Sequence, residues 1–255
     1  MIEIRHRNME DTAATRGAYN QLYRHAGILL RDSFYLWLLS LLRPQPGQWL
    51  LDISCGQGRL VRFGWEKGVF AVGVDFAEAA VYKGQADAPQ AGWIVADGEY
   101  LPFREACADY ITHVGSLEHY QHPEAGISEI ARVLKPFGVA CVLLPNAYGL
   151  FGNIKHVWQT GNVFDDGQPL QRYNTRGGWH RMLVANGLLP FRTVKYEREW
   201  PRTWKDLGWY LTKPLSLARL CIAWAVPLNL ANCLVYLCRR GKDVASSTRD
   251  LATDA

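Results

Sequence analysis

The stretch Trp49–Arg59, WLLDISCGQGR, decides the fold. Trp49 to Ile53 is an apolar run interrupted only by Asp52, the pattern of a strand buried on both faces of a parallel sheet. Gly56 and Gly58 mark a tight turn in which a ligand can come close to the backbone, and the helix that follows offers free N–H groups at its start. The alternation then repeats. FAVGVD (70–75) is a second strand, 77–86 a short helix, WIVA (93–96) a third strand and DYITHVGS (109–116) a fourth. Residues 123–135 form a helix, with Ile127, Ile130, Ala131 and Leu134 at helical spacing, and VACVLLP (139–145) is a fifth strand. This order predicts a Rossmann-like α/β fold, a mostly parallel sheet with helices on both faces. In such sheets the crevice outside the carboxyl ends of the strands is where ligands bind.

The residues at those strand ends narrow the ligand. A dinucleotide loop wants G-x-G-x-x-G, and the third glycine position is Val61 here, which disfavours an NAD-dependent oxidoreductase. A phosphate-cradling Gly-Lys-Ser/Thr is also absent. Instead Asp52, Asp75 and Asp97 end three successive strands, with Asp75 lying 23 residues after Asp52. Three acids do not suit a polyphosphate. They suit a cationic nucleoside that carries ribose hydroxyls and an exocyclic amine.

At these positions the sequence resembles the class I S-adenosylmethionine-dependent methyltransferases, over about residues 48–145 and more weakly to 199. The resemblance rests on LDISCGQGRL, VGVDFAEAAV, VADGEYLPF and SLEHYQHPEAGISEIARVLKPFG. It implies a seven-stranded sheet whose last two strands form a terminal antiparallel hairpin, for which 191–199 and 232–240 are the candidates. It also implies S-adenosylmethionine as cofactor. The glycine loop of Asp52, Ser54, Gly56 and Gly58 would hold the methionine part and Asp75 the ribose hydroxyls. Phe76 would flank the adenine. Asp97, with Gly98 and Glu99 beside it, would accept from the adenine amine, and Ser116 and Leu117 would line the methyl-donor pocket. Ser54 departs from the family, which has glycine there, and a side chain at that point narrows the pocket. The family's Lys-Pro-Gly-Gly turn reads Lys135-Pro-Phe137-Gly138.

An oxygen acceptor must lose a proton, and His119, just past the fourth strand, is the candidate base. A local role ordering its loop is the other reading. Leu117-Glu-His119 followed by a proline resembles the quinone-biosynthesis O-methyltransferases and related small-molecule enzymes. Glu118 could orient the imidazole or touch the cofactor. Tyr19 and Tyr23 could sit on an N-terminal helix closing over the cofactor. His113 reads as structural and His122 as exposed, and His156 and His180 fall where family members bind substrate.

The chain has 255 residues and a formal charge of +4, too mild to argue for nucleic acid. That acceptor is the least favoured, because no basic groove with interleaved aromatics lies near the catalytic loop. Between Arg198 and Lys242 there are eight basic residues and two acidic ones, so the positive charge is local. Four of the ten tryptophans, Trp200, Trp204, Trp209 and Trp224, fall in the same segment. The domain plan is a helical cap (1–47), a methyltransferase core (48–199), an aromatic and basic insertion (200–231), a final core strand (232–240) and a disordered tail (241–255). Arg219, Pro227, Asn229 and Asn232 interrupt the apolar run of 215–238, which argues against a transmembrane helix. Two readings of the insertion stay open: a membrane-surface element, or a lid or dimer contact over the acceptor pocket. The six cysteines form no CxxC pair and no metal-ligand cluster, as expected of a reduced cytoplasmic chain, peripheral on the inner face of a membrane if the first reading holds. The acceptor expected is a small or lipid-linked molecule. The alternative is a non-catalytic, cofactor-binding scaffold whose insertion binds a membrane or partner.

Overall fold

The computed structural model describes residues 1–6 and 12–241. The tail expected to be disordered lies, from residue 242, outside the described residues. In chain order the elements are β1 (Ile2–Arg5), α1 (Thr12–His25), α2 (Asp32–Leu42), β2 (Trp49–Ile53), α3 (Arg59–Glu66), β3 (Phe70–Asp75), α4 (Glu78–Asp87), β4 (Gly92–Val95) and β5 (Ala108–Val114). After a 3-10 turn at Leu117–His119 come α5 (Pro123–Val133), β6 (Leu134–Pro145), α6 (Lys155–Thr160), β7 (Leu170–Tyr173), α7 (Arg176–Ala185), β8 (Leu188–Tyr196), α8 (Trp204–Leu211), α9 (Pro214–Ile222) and β9 (Cys233–Arg240).

Seven strands form one sheet in the order β4-β3-β2-β5-β6-β9-β8. β2 to β6 pair in parallel, and β9 runs antiparallel to both β6 and β8. This is the sheet the sequence predicts, with its antiparallel terminal pair. Successive residues of β6 feed opposite faces. Ala140, Val142 and Leu144 join Ile127, Ile130, Trp179 and Leu183 from α5 and α7. Cys141 and Leu143 join Phe34, Leu38 and Leu39 of α2 and Leu60 and Phe63 of α3. A strand buried on both sides therefore shows no alternation in sequence, although its side chains alternate in space.

Three local features depart from the sequence reading. The segment 1–47 is not helical throughout: α2 begins only at Asp32, and Ile28, Leu29 and Leu30 before it are exposed. β6 begins at Leu134, so Lys135-Pro-Phe137-Gly138 is extended rather than a separate turn. Lys135 precedes a proline, which disfavours helix, and Leu134 is fully buried opposite Ala108. A second sheet, not among the expected strands, also forms, β1 antiparallel to β7. Each of its strands has four residues, too few for a periodicity to register.

Candidate cofactor and acceptor cleft

A cleft opens outside the carboxyl ends of β2, β3 and β5, with about 1120 Å³ of free space counted to its open mouth. Asp52, Ser54, Gly56, Asp75, Phe76, Asp97, Gly98, Glu99, Ser116 and His119 all line it.

Asp75 closes β3 almost fully buried. Its Oδ2 accepts from the Gly56 N–H and its Oδ1 from the Ala77 N–H, both at 2.9 Å. Burial pushes its carboxyl up to about 6, opposed by those backbone donors. Each oxygen keeps a further lone pair for a ligand hydroxyl. Asp52 accepts from the Thr112 hydroxyl at 2.6 Å, and burial pushes it up to about 7. Asp97 accepts from the Glu99 N–H through Oδ1 at 2.9 Å. The Glu99 carboxylate accepts from the His122 N–H, so it serves mainly to order the loop before α5.

Ser54 has φ of +55°, the left-handed region that costs any residue with a Cβ. The glycine of related loops would adopt it freely. Here the Ser54 hydroxyl instead shares a hydrogen bond with the Tyr120 hydroxyl at 2.7 Å, tying the glycine loop to the turn after β5. Tyr120 fills the space above Gly98, where a Cβ would lie 1.9 Å from the phenol oxygen.

Two expected site residues do not line the cleft. Leu117 is fully buried in the core beside α5. Gly58 (φ +68°) starts α3, and a Cβ there would lie 1.9 Å from the Trp93 ring. The same indole lies against Gly73 and Gly84, so Gly58 makes room for a tryptophan rather than for a ligand.

His119 Nδ1–H donates to the Leu170 carbonyl of β7 at 2.5 Å, which leaves Nε2 as the lone-pair nitrogen. Nε2 lies 3.9 Å from Glu118 Oε1 and 3.9 Å from Asp166 Oδ2. Burial lowers the His119 pKa, which favours the neutral imidazole. Burial raises the Glu118 carboxyl to about 8, and its Oε2 has no hydrogen-bond partner among the described residues. His113 is buried edge-on to Tyr120, 5.1 Å between rings, and pushed down to about 3 by burial. His122 and His180 are exposed, and His156 packs on Phe164; none of these four histidines lines the cleft.

Tyr19 and Tyr23 of α1 line the cleft. Tyr19 donates to Gln168 at 2.7 Å and tilts against Phe76, 5.4 Å between rings. A Cβ on Gly56 would lie 2.9 Å from the Tyr23 hydroxyl oxygen. The β1–β7 sheet steadies the other wall. Arg172 Nε donates to Glu3 at 2.8 Å, and its Nη1 donates to the Tyr120 carbonyl. Tyr120, Gln168, Asp166 and the Leu170 carbonyl escape a sequence reading. Their nearest signal is the Asp165-Asp166-Gly167 turn, which carries no ligand pattern of its own.

Two acceptor-only carboxylates at neighbouring strand ends, one beside Phe76, match the donors and flat ring of an adenosine. The strand order and the cleft at the carboxyl ends define a class I methyltransferase fold. Residues 51–142 match the family described as Methyltransferase domain, and over that stretch the chain is similar to the class I S-adenosylmethionine-dependent methyltransferases. A ubiquinone/menaquinone biosynthesis C-methyltransferase of Laribacter hongkongensis is 34% identical over 107 residues, 39% of this chain and 43% of that protein. An uncharacterized methyltransferase of Synechocystis is 32% identical over 111 residues, 42% of this chain and 52% of its own length. The matched part thus spans about half the length of these curated relatives. Among solved structures, the 1,6-didemethyltoxoflavin-N1-methyltransferase of Burkholderia thailandensis, with bound 1,6-didemethyltoxoflavin and S-adenosylhomocysteine, superposes with a TM-score of 0.60 at 16% identity. That superposition covers 94% of each chain and shows the shared fold.

Proposed function

We propose that the protein transfers the methyl group of S-adenosylmethionine to an oxygen of a small or lipid-linked acceptor, met at the inner face of a membrane. The observation that carries this reading is the joining, in one cleft, of Asp75, Asp97 and Phe76 with a neutral His119 whose Nε2 is a free base. The cofactor supplies an electrophilic methyl on a sulfonium. Asp75 holds the ribose hydroxyls, Phe76 flanks the adenine, and Asp97 accepts from its amine. Ser54, Gly56 and Ser116 border the methionine end. His119 Nε2 would take the acceptor proton as the acceptor oxygen bonds to the methyl carbon and the sulfonium S–C bond breaks, releasing S-adenosylhomocysteine, and Asp166, 3.9 Å away, would stabilise the imidazolium that results. Proximity and in-line alignment supply most of the remaining acceleration.

A carbon acceptor on a hydroquinone-like ring is the second reading, favoured by the C-methyltransferase name of the Laribacter relative. The same His119 would then remove the ring hydroxyl proton and make the carbon nucleophilic.

Incubation with methyl-labelled S-adenosylmethionine and a bacterial lipid extract tests the activity. Label is expected in the solvent-extractable fraction, with loss in His119→Ala. Tight cofactor binding with no transfer to lipid or aqueous extracts would favour the non-catalytic scaffold instead.

A further inference from the structure

The segment between β8 and β9 turns its apolar side chains outward. Trp204 is 87% exposed, Leu215 81% and Trp224 80%, and Trp200, Leu211 and Ile222 are exposed as well. In α8, Trp204 and Leu211 are seven residues apart on one stripe, opposite the buried Asp206 and Tyr210. In α9, Leu215 and Ile222 repeat that spacing, with the exposed Arg219 between them and Leu220 buried behind. A lid would bury such side chains over the cleft, yet none of them lines it.

The charges are sorted in the same way. The two acids of the region point inward. Asp206 accepts from the Ser33 N–H at 2.8 Å and the Ser33 hydroxyl at 2.5 Å. Glu199 accepts from Arg31 at 2.8 Å and from the Tyr196 hydroxyl at 2.7 Å. Arg202, Lys205, Lys213 and Arg219 are exposed, and none is ion-paired with a described residue. Outward tryptophan and leucine interleaved with unpaired lysine and arginine complement an anionic lipid surface. No described helix is long and apolar enough to cross a membrane, so this segment would lie on the bilayer.

The surface continues to the cleft mouth. Arg31 stacks over Trp209, 4.2 Å from the ring centroid, which fixes the exposed Ile28–Leu30 beside α8. Leu29, Leu30 and Lys205 line one shallow depression, and Ile28 and Leu30 also line the cofactor cleft. We infer that α8, α9 and the Ile28–Leu30 segment form one docking face for an anionic phospholipid bilayer, with the cleft opening at that face. The docking stands on the surface itself. Only the passage of an acceptor from bilayer to cleft rests on the methyltransferase reading.

Co-sedimentation of the full chain with vesicles tests it. One set is phosphatidylcholine alone, the other equal parts phosphatidylcholine and phosphatidylglycerol. The protein is expected to pellet with the anionic vesicles and stay in solution with the neutral ones. Lys205→Gln/Lys213→Gln/Arg219→Gln should weaken anionic partitioning on the order of 100-fold, and Trp204→Ala/Leu215→Ala/Trp224→Ala at least ~10-fold. Both variants should bind S-adenosylhomocysteine as wild type does in calorimetry, so a docking failure is distinguishable from a failure of the cofactor site. Wild type left in the supernatant with both vesicle types, equal binding to both, or a dimer broken by the tryptophan variant would overturn the inference.

Discussion

In the cleft, carboxylates face the ligand space and the apolar side chains pack behind them; between β8 and β9 the arrangement is inverted. Asp52 and Asp75 are held against water loss by Thr112 and by backbone N–H groups, and burial raises both carboxyls. Asp206 and Glu199 spend their charge on Ser33, Arg31 and Tyr196, and leave tryptophan and lysine outside. The same residue types thus do opposite work. An acid beside a cavity is poised for a ligand, whereas an acid under a surface only anchors the helix that carries other groups outward. Which of the two a carboxylate does cannot be told from its identity, only from what its oxygens already hold.

The contrast can be broken at several points. His119→Ala should lower turnover by about 10²–10⁴-fold while cofactor affinity stays within a few-fold, measured by labelled-methyl transfer and calorimetry. Equal losses in both would make His119 part of the cleft's framework rather than its base. Trp179 is fully buried and donates to the Pro145 carbonyl at 2.7 Å. Trp179→Ala should therefore cost about 3–5 kcal/mol in denaturant unfolding, far more than Trp204→Ala, which removes an exposed ring and should change stability little. If the two cost the same, the inside and outside tryptophans have been wrongly distinguished.

The pH dependence of cofactor affinity sharpens the cleft side. On the proposed reading Asp75 accepts from two ribose hydroxyls when ionised, and burial pushes its carboxyl up to about 6. Affinity should be flat above pH 7 and fall roughly tenfold per pH unit well below 6. The stability linkage has the other sign. A carboxyl raised by burial holds its proton more tightly folded than unfolded, so Asp75 and Asp52 favour the ligand-free fold as pH falls from about 7 towards 4, and weaken it as pH rises through that window. A smaller loss than at Trp179 should come from Tyr120→Phe, which removes the partner of the Ser54 hydroxyl. About 1 kcal/mol of stability should be lost, read as a lowered unfolding midpoint.

Much of this was legible in the chain. β2 and β3 fall at the expected residues because a doubly buried strand followed by an acid and a turn is a strong local signal. β9 was found because NCLVYLCRR was the last apolar run able to complete the sheet. The β1–β7 sheet was not legible, since its four-residue strands are set by pairing across the whole chain. The consequence for the site is direct, because the Leu170 carbonyl that fixes the His119 tautomer comes from that sheet. Gly58 shows the reverse case. Its motif pointed to the ligand, but the space it leaves is taken by Trp93, which lies 35 positions further along and gives no local sign of its contact. Ser54 is an exception to the glycine pattern whose reason, a bond to Tyr120, exists only in three dimensions.

Asp75 is proposed to hold the cofactor in this cleft. Calorimetric titration of S-adenosylmethionine into wild type and Asp75→Asn at pH 7.5 tests it most directly, with thermal melting to show that the variant folds. At least a ~100-fold loss of affinity is expected, since charge-assisted hydrogen bonds to the carboxylate are lost. Equal affinity in a folded Asp75→Asn variant would contradict it.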